Sequence, residues 1–281
     1  MRRALAVGGL FFSSLGAARA ADGGIARHSY RKGETLRYYF EDTDYVYDAK
    51  PEAGLLRPKT LRSISGVRVN LRIRVVGVSS GTARRRIEFS DGLYRSAAPK
   101  KYNQAPSISL SSAIPGFPSD FGYEYDSDGK IVNRTGAFFA PYLSSEAGTF
   151  VFYKTMDIHT FQSIIDDISS AQRPGDIVIK PPKKIPLDFG VFRNGSSVQT
   201  YDRVDIVDGI RCAVFKVATP GNTFKDKNSK APIRTDYQLT MFVPLEGEYR
   251  GLLLRGDLQE SIFEKRDSYV LRQLSMTLRT K

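Results

Sequence analysis

The chain has 281 residues, a formal net charge of +12, two histidines, one cysteine and no tryptophan. That composition excludes an intrachain disulfide and leaves no material for a histidine-rich metal cluster or a histidine-based catalytic triad. The length suffices for one large β domain or two smaller ones, and the excess of Lys and Arg, interspersed with acids, describes a basic surface.

Residues 1–20, MRRALAVGGLFFSSLGAARA, have the three parts of a cleavable export signal. Arg2 and Arg3 supply the positive start, Ala4 to Leu15 the apolar stretch, and Ala18 and Ala20 the small residues before a cleavage point after Ala20. The apolar stretch falls short of the ~20 residues that span a bilayer, and it has no polar face to make it a helix of the folded domain. The mature chain, residues 21–281, is therefore expected in the periplasm or outside the cell and not transmembrane. The usual lipid-attachment cysteine is missing, because the only cysteine is Cys212, within the apolar run RCAVFKVAT. Cys212 reads as a small buried hydrophobe. Outside the cytoplasm the polyanions on offer are envelope surfaces, so no nucleic-acid partner is expected.

Tyr30 to Glu41 alternates as a first strand, with Leu36, Tyr38 and Phe40 on one face. Asp42 to Ser65, polar and carrying Pro51, Gly54 and Pro58, reads as a long loop. In VRVNLRIRVVGV the apolar Val67, Val69, Leu71, Ile73 and Val75 alternate with Arg68, Asn70, Arg72 and Arg74, the pattern of a strand with one wet face. A second strand, Thr82 to Ser90, buries the same parity if a three-residue loop, Ser79 to Gly81, joins the two. That register sets residue 73 against 87, Arg72 against Glu88, and Arg74 against Arg86 as a like-charge pair. It also aims Arg85 at the apolar side beside Val75, so that Arg85 either snorkels at the rim or meets something that accepts a cation.

Residues 96–122, with Pro99, Pro106, Pro115, Gly116 and Pro118, read as another long connection. Tyr123 to Val132 reads as a hairpin turning at Asp126 to Gly129, since a calcium loop would need further acids where Arg134 and Thr135 stand. One helix is expected, Asp157 to Ala171, with Ile158, Phe161, Ile164, Ile165 and Ile168 in a single stripe. The Pro-rich IKPPKKIP follows, and a two-lobed split near 174–186 stands beside the single-domain alternative. Strands are then expected at 199–207 and 211–219 about an Asp208-Gly209 turn, and at 236–244, 250–264 and 268–280, the last two turning at Glu264 to Asp267.

No catalytic motif is present. His28 lies near a frayed start, and His159 sits on the helix as a boundary residue. There is no Gly-x-Ser-x-Gly elbow, and GNTFKDKNSK lacks the spacing of a phosphate loop. No cofactor or metal is expected, and the protein reads as non-enzymatic. The 15 tyrosines and 17 phenylalanines cluster at Tyr38, Tyr39, Phe40, Tyr45 and Tyr47, and again at Phe138, Phe139, Tyr142, Phe150, Phe152 and Tyr153. Such clusters fill a β core or line an apolar groove.

The order of an export signal, a strand with Gly33-Glu34-x-Leu36-x-Tyr38, a YDSDGKIV hairpin, a middle helix, an RCAVFKV strand and a closing hairpin resembles exported bacterial families of unknown function. It is similar in pattern to the periplasmic lipoprotein-carrier superfamily. That resemblance implies a mainly β fold, a large curved antiparallel sheet or incomplete barrel with one covering helix. It further implies an apolar surface for a lipid or acyl-chain ligand, with Tyr38, Phe40, Phe138, Phe139, Tyr142 and Phe161 as its candidate lining. The alternative is an envelope interaction module that holds a protein partner or an anionic surface through Arg68, Arg72, Arg74 and Arg86.

Overall fold

The computed structural model describes residues 28–48, 61–79, 82–109, 112, 122–125, 131–135, 173–187, 190–226, 232–265 and 268–280. In chain order the strands are β1 (Thr35–Tyr47), β2 (Leu61–Ser79), β3 (Thr82–Ala97), β4 (Ile108–Ser109), β5 (Gly122–Tyr125), β6 (Ile131–Thr135) and β7 (Ile177–Lys180). They continue with β8 (Lys184–Leu187), β9 (Gly190–Arg193), β10 (Ser197–Val207), β11 (Ile210–Asp226), β12 (Ile233–Pro244), β13 (Arg255–Lys265) and β14 (Ser268–Leu278). All belong to one antiparallel sheet, whose main path runs β6-β5-β3-β2-β1-β14-β13-β12-β11-β10-β7, with β4 on β3, β9 on β11 and β8 on β9. The sheet does not close into a barrel, in keeping with the mainly β, incomplete-barrel fold class that the resemblance implies.

Alternation dictates which residues share a face. Leu36, Tyr38 and Phe40 of β1 lie directly across from Ile73, Leu71 and Val69 of β2, and Tyr38 and Phe40 from Leu278 and Met276 of β14. The same face continues through Leu258 on β13, Leu239 and Met241 on β12, Val217 and Phe215 on β11, and Tyr201 on β10. All these side chains are buried in one apolar cluster. One end of that face is capped by the segment between β12 and β13, where Leu252, Leu253 and Leu254 are buried and Leu254 N–H donates to the Phe242 carbonyl. The segment before β1 is sewn to the same end through paired bonds between Gly33, Glu34 and Val75.

The β2–β3 register sets Ile73 against Ile87, Arg72 against Glu88 and Arg74 against Arg86, as the pattern requires. The hairpin differs in detail. Val75 faces Arg85 as expected, but a register shift between Val75 and Gly77 then sets Gly77 against Arg84 and Ser79 against Thr82. A bulge at Val76 therefore absorbs the residue that a three-residue loop would have held. Asp208 and Gly209 carry positive φ of 51° and 77° between β10 and β11, which is the two-residue turn that suits the twist of a hairpin. β5 and β6 pair as expected, whereas their turn, like residues 1–20 and the expected helix 157–171 with His159 and Phe161, lies outside the described residues.

Several loop expectations are corrected. Residues 42–47 and 61–65 are strand, because the polar residues that suggested a loop are paired across the sheet, Asp42 and Asp44 among them. β3 runs on to Ala97 through a second register shift opposite Arg68 and Asn70, and a short 3-10 helix, Pro99–Gln104, follows it. The segment FKDKNSKAPIR is strand at both ends, with β11 reaching Asp226 and β12 starting at Ile233. The strand expected from residue 250 begins at Arg255, since 246–254 form the cap. The Pro-rich stretch carries β7 and β8, and these join the common sheet through β10 and β9.

Candidate ligand-binding surfaces

The inward face holds the first candidate lining residues. Tyr38 is 0% and Phe40 1% exposed, so both lie within the packed apolar half of the face. Phe138, Phe139, Tyr142 and Phe161 lie outside the described residues.

Past Phe40 the inward parity of β1 turns acidic, with Asp42 across from Leu274 and Asp44 across from Arg272. Arg272 in turn faces Glu260 on β13. Its guanidinium donates through Nε and Nη2 to Asp42 Oδ2 at 3.0 and 2.9 Å, and through Nη1 to Glu260 Oε2 at 2.9 Å. Asp44 Oδ1 stands 3.9 Å from Nε. The Arg272 side chain is 3% exposed and that of Asp42 0%. A charge withdrawn this far from water persists only when opposed charges and hydrogen bonds surround it, and the planar guanidinium meets one carboxylate with two donors. Beyond this polar belt the same face resumes with Val46, Val270 and Ile262. Val46 and Ile262 are only half-buried there.

The outward face is basic. Arg68, Arg72 and Arg74 of β2 are exposed, and Arg86 of β3 is half-buried across from Arg74. Arg37 of β1, which the sequence pattern left unremarked, is exposed across from Arg72. Arg68 donates to Glu41 at 2.7 Å and Arg72 to Glu88 at 2.6 Å. The Glu41 contact raises the affinity of the Arg68 guanidinium for its proton. Arg37 and Arg74 meet no carboxylate among the described residues. Leu93, across from Arg68 on the same face, is 43% exposed. Tyr39 lies beneath the Arg279 guanidinium at 5.5 Å. At the far end of this face a small cluster of Tyr45, Tyr47, Leu61, Phe263, Tyr269 and Leu271 is packed together.

Arg85 is buried, its guanidinium lies over the Tyr30 ring at 5.5 Å and its Nη1 donates to the Tyr30 hydroxyl at 3.3 Å, so the same chain supplies an acceptor for the cation. His28 is held rather than frayed, with Nε2 2.7 Å from Glu34 Oε1 and Nδ1 donating to the Arg250 carbonyl at 3.1 Å. Cys212 is fully buried, and burial, with Asp205 and Asp208 adding to it, pushes its thiol up to about 11. A thiol of that kind is a packing group and not a nucleophile. A shallow groove of about 200 Å³ lies between Pro220, Asp236, Tyr237, Gln238, Gln259 and Ser261. Among the described residues no group of three or more His, Cys, Asp or Glu side chains is arranged to hold a metal ion.

The buried charge belt is what sequence reasoning missed. Its signal was present in the parity of Asp42 and Asp44 with Phe40, of Arg272 with Leu274, and of Glu260 with Leu258.

No family model and no curated protein matches the chain. Among solved structures, a lipovitellin structure concerned with lipid–protein interactions matches 89% of this chain at 10% identity with a TM-score of 0.49, and the chain spans about a quarter (25%) of its length. An outer membrane channel from Pseudomonas putida matches 90% of this chain and 97% of its own at 7% identity, TM-score 0.30. A DUF1329 family protein from Desulfovibrio piger matches 86% of this chain and 85% of its own at 12% identity, TM-score 0.18. Likenesses at this level assign no function.

Proposed function

We propose that the chain is a non-enzymatic binding protein of the cell envelope that takes a lipid-like, apolar ligand against the inward face of its sheet. The observation that carries this reading is the continuity of that face. Seven neighbouring strands, from β2 to β10, turn their apolar parity the same way, on a sheet that is not closed into a barrel. The half near Tyr38 and Phe40 is filled by its own side chains, so the ligand is assigned to the other half, where Val46 and Ile262 retain exposed apolar surface beyond Arg272. An acyl chain covering such surface contributes about 0.8 kcal/mol per buried CH₂.

The envelope location rests on the leader at residues 1–20, and among the described residues no helix is long and apolar enough to cross a membrane. Cell fractionation and N-terminal sequencing test this part, with Ala21 as the expected first residue. Native mass spectrometry and solvent extraction of the purified protein test the ligand. A co-purifying lipid, or saturable binding of a fluorescent fatty acid that weakens in Ile262→Asp, is the expected result. Absence of both sinks the reading.

A further inference from the structure

We infer that the outward face of β1, β2 and β3 is a docking surface for an anionic phospholipid bilayer. Two directly opposed arginine pairs, Arg37 with Arg72 and Arg74 with Arg86, adjoin one another on three neighbouring strands. Side chains directly opposite in an antiparallel pair stand about 5 Å apart at Cβ, and like charges there destabilise the sheet. Glu88 offsets Arg72 and Glu124 of β5 stands directly across from Arg86, while Arg37 and Arg74 stay exposed with no carboxylate among the described residues. A face that keeps Arg37 and Arg74 exposed and without carboxylates, each directly across from a further arginine, is complementary to external negative charge.

The neighbours of these arginines select the occupant. Leu93 is 43% exposed on the same face, across from Arg68, and Tyr39 is half-buried beneath Arg279. A soluble polyanion has no use for an exposed leucine. A bilayer takes both kinds of group, since phosphate headgroups meet the guanidinium ions and the headgroup boundary accepts Leu and Tyr. The outward face is also the side away from the ligand assigned above, so docking and ligand loading are separable.

The test is co-sedimentation of the full mature protein with phosphatidylcholine vesicles, with and without phosphatidylglycerol. Binding is expected only with phosphatidylglycerol, and it should vanish near ~1 M salt, where the screening length is about 3 Å. The double variant Arg37→Gln/Arg74→Gln should bind about 25-fold more weakly, at roughly fivefold for each arginine near an anionic leaflet. Arg203→Gln/Arg255→Gln, which removes arginines held by Asp202, Asp205 and Asp257 on the other half of the sheet, should stay within about twofold. Leu93→Gln supplies an independent variant at an exposed position and should weaken binding at constant charge. Lack of vesicle binding by the unaltered protein at low salt overturns the inference, as does equal weakening by the control pair. Retention on heparin with no vesicle binding overturns the bilayer as partner. Fatty-acid binding by the Arg37→Gln/Arg74→Gln variant should equal that of the parent, so failure here and failure of the proposed function are told apart.

Discussion

Arginine plays opposite parts on the two faces of this sheet. On the inward face Arg272 is 3% exposed and held by Asp42, Asp44 and Glu260. On the outward face Arg72 is 58% exposed beside a single carboxylate, and Arg74 faces another arginine. The inward arginine has lost its hydration, so its partners decide whether the strands around it hold together; the outward ones keep water, and their mutual interactions are screened. Burial, rather than the number of ion pairs, therefore governs what each arginine contributes to folding.

The widest gap between the faces is expected for Arg272→Ala. Removing the guanidinium leaves Asp42 buried among Phe40, Leu274 and Val67, and breaking a buried network in this way costs about 3–5 kcal/mol. Urea unfolding should show the loss as a lower midpoint with an unchanged slope. A loss below about 1 kcal/mol would mean that water reaches the belt, and the contrast between the faces would collapse.

Burial yields a second, pH-dependent test at Cys212, which lies across from Asp205 on the parity opposite to Phe215. Its thiol is pushed up to about 11 from an ordinary value of 9.0, which makes the neutral form the one the fold prefers. The resulting stability is complete below pH 9 and is lost as pH rises through 11, about 2–3 kcal/mol in all. Tyrosines and lysines titrate in the same window, so the measurement is a difference: Cys212→Ala should flatten the decline between pH 9 and 11. A maleimide should label native Cys212 only as fast as the protein opens.

The two faces also differ in how far they were legible. The outward arginines follow directly from the alternation in VRVNLRIR, and the β2–β3 register came from the same count. Arg37 went unremarked because its importance depends on lying across from Arg72, and strand neighbours remote in sequence are not visible in a local pattern. The inward belt was hidden for a different reason. Asp42 and Asp44 carry the residue type that ordinarily marks a loop, and their partners Arg272 and Glu260 lie more than two hundred residues away. Only the shared parity with Phe40 and Leu274 betrays them, and that parity counts only once the strand is known to continue. The bulge at Val76 escaped notice because a longer loop produces the same register further along the strands.

On the outward face a smaller effect is expected for Arg72→Gln. The ion pair with Glu88 is mostly solvated, and exposed pairs of this kind contribute at most about 1 kcal/mol. High salt should erase the difference between variant and parent. A loss approaching that of Arg272→Ala would show that exposure does not weaken this pair.

The smallest effect carries the opposite sign. Arg74→Gln removes one member of the Arg74–Arg86 pair, and relief of the repulsion should stabilise the protein by a few tenths of a kcal/mol at low ionic strength. Added salt should shrink the gain, because the parent's repulsion is screened as well. Anionic vesicles should reverse the order. A bilayer that binds the native parent more tightly than the variant raises the parent's melting temperature further, since a ligand stabilises in proportion to its preference for the folded state. Melting curves of both proteins with and without phosphatidylglycerol vesicles therefore cross if the opposed arginines serve docking. They stay parallel if the pair is only a cost that the fold tolerates.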